Sequence, residues 1–216
     1  MESVFVSWAI SALVIILFAM LIGRKSASTN VLAIFFDFRG RYSLTRFQIS
    51  MWTIIVLSLL SGVFFARLIG GVDSPLNITI QSELLILMGI SVGSTVTSEA
   101  IKAEKDKKKE LEIARVTNGR EAKFSQVYLA EEGEAGKDEA IDITKFQNFL
   151  LTLIVLIAYV AATIVYINDK TTISELNALP GLSSTILTLI GISHAGYIAG
   201  KLPDKKVNQP PTSTGP

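Results

Sequence analysis

Tyr42 to Leu57 reads YSLTRFQISMWTIIVL, and Asp142 to Leu156 reads DITKFQNFLLTLIVL. Thr45, Phe47, Gln48 and Thr53 recur as Thr144, Phe146, Gln147 and Thr152, and Arg46 is matched by Lys145. Further on, Leu87-Met88-Gly89-Ile90-Ser91 recurs as Leu189-Ile190-Gly191-Ile192-Ser193. The intervals between the paired stretches are nearly equal, which is the mark of one unit used twice. The spacing Thr-x-x-Gln opening each unit is that of a capping box. The Thr hydroxyl accepts from the N–H three residues on, and the Gln side chain returns the bond. Thr45 with Gln48 and Thr144 with Gln147 are therefore expected as helix caps at a membrane surface, where lipid cannot satisfy free N–H groups. A specific binding role for the two glutamines is the competing reading.

Each unit ends in a helix rich in small residues. Gly89 and Gly93 form GxxxG, and Gly191 with Ala195 and Gly196 with Gly200 form two small-xxx-small pairs. Such spacing lets helix backbones approach closely in lipid. These six positions are the expected helix-packing residues, within a chain or between chains of a homo-oligomer.

The class follows from composition. Half of the 216 residues are hydrophobic, and the mean hydropathy is +0.47. The charges are clustered, leaving apolar runs of about 20 residues, enough to cross a bilayer. Cysteine is absent, which removes thiolate catalysis and Cys-based metal sites. One histidine, His194, cannot build a zinc site. A net charge of +1 implies no nucleic-acid partner. No paired intramembrane acids, no catalytic serine–base arrangement and no phosphate loop are read from the sequence, so no catalytic residue, metal or cofactor is assigned and no enzyme is expected.

The expected fold is an all-α membrane protein of about five transmembrane helices, an N-terminal anchor plus two parallel two-helix repeats. Residues 1–25 form the anchor, 26–42 a cytoplasmic or interfacial segment and 43–100 the first repeat unit. Residues 101–142 form a charged cytoplasmic helix and linker, 143–201 the second unit and 202–216 a disordered tail. The first apolar run is preceded by Glu2 and followed by Arg24 and Lys25. Signal peptides have the opposite order, so an uncleaved anchor is expected. The short run Val31 to Phe38 either lies flat in the interface or packs as a buried loop under the bundle. Across the connection after the second span, Arg67 and Glu83 are placed to pair.

Lys and Arg gather in residues 24–46, 102–145 and 201–206. The positive-inside rule puts these in the cytoplasm, with the N-terminus outside and the C-terminus inside. The two units then run the same way, related by an axis along the membrane normal.

Ser91, Ser94, Thr95 and Ser98 share one side of a helix. Such a hydroxyl stripe lines an aqueous path, or it bonds its own helix carbonyls or a neighbouring helix. His194 stands between a proton relay and a packing or interfacial role. Ser91, Ser94, Ser98 and His194 are thus the possible pore or polar stripe.

Ser43-Leu44-Thr45-Arg46-Phe47-Gln48 with Trp52-Thr53, followed by Leu87-Met88-Gly89-Ile90-Ser91, resembles a pattern in uncharacterised bacterial integral membrane proteins. That pattern reads S-L-x-R-x-Q-x-x-x-W-T with a later L-x-G-I-S. It covers the first unit, while Leu151 replaces the tryptophan in the second. The resemblance implies a bacterial inner membrane and supplies no site. The expected function is an anchor, scaffold or accessory subunit that oligomerises through its small-residue faces. Its partners are the lipid bilayer, copies of itself and a cytoplasmic protein met through residues 101–142. The alternative is a small homo-oligomeric channel or transporter.

Overall fold

A computed structural model describes residues 2–25, 32–38, 40–107, 123–130 and 140–202. Five α-helices carry the fold: α1 (Glu2–Lys25), α2 (Leu44–Ile69), α3 (Ser82–Lys107), α4 (Ile143–Asn168) and α5 (Ser184–Lys201). No β-strand occurs among the described residues. Four helices, α1 to α4, are long and apolar enough to cross a membrane. The fifth, α5, places His194 and Lys201 within 18 residues and falls short of that standard. The protein is thus an all-helical membrane protein with four span-capable helices.

The packing of α1 on α2 depends on a line of small residues. Ser58, Gly62 and Ala66 are one turn apart and all buried. A Cβ placed on Gly62 would lie 2.5 Å from the Trp8 Cα. Only glycine permits the two backbones to meet there. One turn earlier, the Trp8 indole Nε1 donates to the Ser58 hydroxyl at 3.1 Å. The close crossing is therefore at Gly62, not at the expected positions. Gly89, Gly93 and Gly196 have no atom within 4 Å of an added Cβ. The nearest atoms at Gly191 and Gly200 are side-chain atoms at 3.8 Å, from Ile90 and Thr144. Gly89, Gly93, Ala195, Gly196 and Gly200 all face outward, so they do not bring helices of one chain together.

Helices α3 and α5 instead meet along stripes with alternating three- and four-residue spacing, the period that keeps one helix face inward. On α3 the buried line is Leu84, Leu87, Ser91, Ser94 and Ser98; on α5 it is Ile190, His194, Tyr197 and Lys201. Both lines begin apolar and become polar. The main core of Trp52, Val56, Leu59, Val63, Leu156 and Tyr159 fills the bundle between α2 and α4. A second cluster of Phe36, Tyr42, Leu44, Val127 and Tyr197 closes the end where α2 and α4 begin, called here the Lys102 end. The opposite end is the Arg67 end.

The same local sequence of elements precedes α2 and α4. A 3-10 turn at Ala33–Phe35 leads to an antiparallel bridge between Phe36 and Tyr42. A 3-10 turn at Phe124–Val127 leads to an antiparallel bridge between Leu129 and Ile141. Ser43 N donates to Phe35 O at 2.9 Å, and Asp142 N to Tyr128 O at 3.0 Å. Asp37 N donates to Arg41 O, and Ala130 N to Ala140 O. Phe36 and Asp37 are buried while Leu32 and Phe38 are exposed, so the middle of residues 32–38 packs under the bundle and its ends reach the surface.

The expected caps are corrected. Helix α2 begins after Ser43 and α4 after Asp142, so Thr45 and Thr144 lie inside the first turn. Asp142 caps α4, accepting from Thr144 N at 2.9 Å and Lys145 N at 3.1 Å. A carboxylate is the better acceptor at a positive helix terminus. Ser43 makes no side-chain cap bond, and its hydroxyl bonds the Thr45 hydroxyl instead. Gln147 faces outward, and Gln48 points into the bundle.

At the Arg67 end, Thr79 and Ala178 form a parallel bridge joining the two connections. Arg67, only 4 % exposed, donates to the carbonyls of Ser174, Leu176 and Ser74 at 3.3, 2.9 and 3.0 Å. It does not make the expected pair with Glu83, whose carboxylate accepts from Ser82. Close by, Thr171 and Thr172 bond the exposed Glu175 carboxylate and hold its pKa below the usual value.

Candidate functional site

The candidate site is a set of buried polar contacts in the part of the bundle nearest the Lys102 end, with Gln48 and Asn148 in the second turns of α2 and α4. The first contact is an amide pair. Gln48 on α2 and Asn148 on α4 are both 0 % exposed. Gln48 Nε2 donates to Asn148 Oδ1 at 2.9 Å and to Thr152 Oγ1 at 2.6 Å. The Thr152 hydroxyl in turn donates to Asn148 O one turn back. Helical periodicity explains the choice of Asn148: it shares a buried face with Lys145, Thr152 and Val155. Gln147, the sequence counterpart of Gln48, is rotated off that face. The sequence signal was available in the Asn148-x-x-x-Thr152 spacing, which places two polar groups on one side of an apolar helix.

Two serine–base contacts lie between α3 and α5. Ser94 Oγ and His194 Nδ1 are 2.7 Å apart. Lys201 Nζ donates to Ser98 Oγ at 2.7 Å and sits 4.7 Å above the Tyr197 ring. The expected polar residues are thus brought together, Ser94 with His194 and Ser98 with Lys201. Thr95 donates to Ser91 O, within its own helix, and to Thr45 O of α2. A serine beside a base is the arrangement that activates a nucleophile. Here both serines sit inside a helix whose N–H groups are spent on its own carbonyls, so those groups cannot serve as oxyanion donors.

The contact that names the Lys102 end is ionic. Lys102 Nζ meets Asp37 Oδ2 at 2.8 Å, with both side chains almost fully buried. Asp37 Oδ1 accepts from Arg41 N. Lys145 reaches Leu129 O at 2.7 Å, and Arg46 pairs with Glu99 near the surface. Rings cover this end. Phe124 packs against Tyr42, Phe47 and Phe149 with centroids 5.7, 5.8 and 6.1 Å away. Gln126 Oε1 accepts from Tyr42 N, tying residues 124–127 to the start of α2.

Among the described residues no group of three or more His, Asp or Glu side chains is placed to hold a metal ion. The remaining parts of the loop expected to dock a partner, 108–122 and 131–139, and the tail from residue 203 lie outside the described residues. In comparisons with protein-family models, curated proteins and solved structures, nothing matches this chain.

Proposed function

We propose that the protein is a bacterial inner-membrane scaffold or accessory subunit that presents its charged loop to a cytoplasmic partner. The observation that carries this reading is the fate of the hydroxyl stripe. Ser91, Ser94 and Ser98 are buried by protein, and Ser94 and Ser98 are engaged by His194 and Lys201. A stripe used to hold α3 against α5 is not free to line a water path. Within this reading the chain has five spans, N-terminus outside, and is an internal duplication of two parallel units. The matched hydrogen bonds ahead of α2 and α4 support the duplication. The outward-facing Gly89, Gly93, Ala195, Gly196 and Gly200 are then the faces through which copies associate as a homo-oligomer.

The test is reconstitution of the purified chain in vesicles with an ion-flux readout. A scaffold conducts nothing. Flux from the native protein, lost in Ser91→Leu and Ser94→Leu while assembly persists, overturns the reading in favour of a channel or transporter. In the same preparations Gly93→Leu or Gly196→Leu is expected to leave a folded monomer.

A further inference from the structure

We propose that a water molecule is bound inside the bundle between Gln48 and Asn148, bridging the two side-chain amides that join α2 to α4. Both protons of Gln48 Nε2 are used, one toward Asn148 Oδ1 and one toward Thr152 Oγ1. Gln48 Oε1 and Asn148 Nδ2 are then left buried with no protein partner. Amide orientation does not remove the problem. Turning both amides keeps a bond between them and strands the Gln48 N–H and the Asn148 oxygen instead. Turning one alone sets nitrogen against nitrogen or oxygen against oxygen. Every acceptable arrangement leaves one donor and one acceptor.

Leaving a buried polar group unsatisfied costs about 1–3 kcal/mol, and lipid chains offer no hydrogen bond. The occupant must therefore donate and accept. It must also be small, because neither amide has any exposed surface. A metal cation fails the first condition, since an N–H always faces the site. Water meets both, and buried waters make about three hydrogen bonds. Ser91 Oγ is also buried without a partner. Thr95 bonds Thr45 O, and Ser91 and Gln48 lie about one turn from those two residues on antiparallel helices, which sets them at one level.

Solid-state NMR on the full chain in bilayers tests this without any substitution. Side-chain amides are assigned through bonds, and polarisation is passed from water at short mixing times. The expected result is transfer to the Gln48 or Asn148 NH2 group, comparable with transfer to the exposed Asn77. In a Gln48→Leu, Asn148→Leu double variant, transfer to the adjacent Thr152 is expected to be lost. Absence of transfer to both amides in the native chain overturns the proposal. So does a cross peak from those amides to a solute other than water.

Discussion

The two ends of the bundle bury cations by opposite means. At the Arg67 end the two terminal guanidinium nitrogens donate to three backbone carbonyls, drawn from both connections, while Nε is buried without a hydrogen-bond partner. At the Lys102 end a lysine meets a carboxylate, and its neighbours meet a serine hydroxyl and a backbone carbonyl. Arg67 therefore fixes chain path, because carbonyls belong to the backbone whatever the side chains are. The Lys102 end fixes side-chain identity, because its buried ion pair and its Lys201–Ser98 bond run between particular side chains.

The largest expected effect follows from that asymmetry. Lys102→Met breaks the buried Lys102–Asp37 pair, a loss of about 3–5 kcal/mol. The unfolding midpoint in detergent should fall sharply, and adding Asp37→Asn should restore much of it. Equal midpoints for the single and double variants would break the comparison. Arg67→Met removes charged hydrogen bonds but strands only neutral carbonyls, of which Ser74 and Ser174 belong to exposed residues. A loss of about 1.5–3 kcal/mol is expected, with faster hydrogen exchange at Thr79 and Leu179, whose N–H groups join the two connections.

A smaller effect sharpens the contrast between interior and ends. Gly62→Leu drives a side chain into the Trp8 backbone, 2.5 Å from the Cβ position. Overpacking of this kind costs about 1–3 kcal/mol, and it should separate α1 from α2 while leaving the ionic end intact. Loss of Trp8 fluorescence shielding without change in Lys102–Asp37 coupling is the expected signature. The smallest effect compares the two helix starts. Asp142→Ala is expected to cost about 0.5–2 kcal/mol, whereas Ser43→Ala, which removes no cap bond, should cost a few tenths at most. A larger loss at Ser43 would show that the Ser43–Thr45 contact matters more than the cap it fails to make.

The sequence allowed the helical class and four of the five expected spans to be read, because apolar runs of bilayer length have few alternatives. It did not reveal which face of each helix turns inward. In lipid the outer and inner faces are equally apolar, so hydrophobic periodicity loses its meaning. Polar residues are the better guide, and Ser91, Ser94, Ser98 and His194 do all point inward. The caps failed because a matching Thr-x-x-Gln spacing hid the acidic Asp142 two residues earlier. The Gly62 crossing was missed because Ser58-x-x-x-Gly62-x-x-x-Ala66 alternates three residue types instead of repeating one. The Arg67 clamp has no sequence signature, since its acceptors are carbonyls.

The link between Gln48 and its partners also sets a schedule for biosynthesis. Asn148 and Thr152 lie 100 and 104 residues further along the chain. At about 5–20 residues per second of synthesis, they emerge roughly 5–20 s after Gln48. During that interval α2 is complete but carries an amide that no later helix has yet reached. The bond that joins the two halves can therefore form only once most of the chain has been made, and it belongs to the last stage of assembly rather than to the insertion of α2.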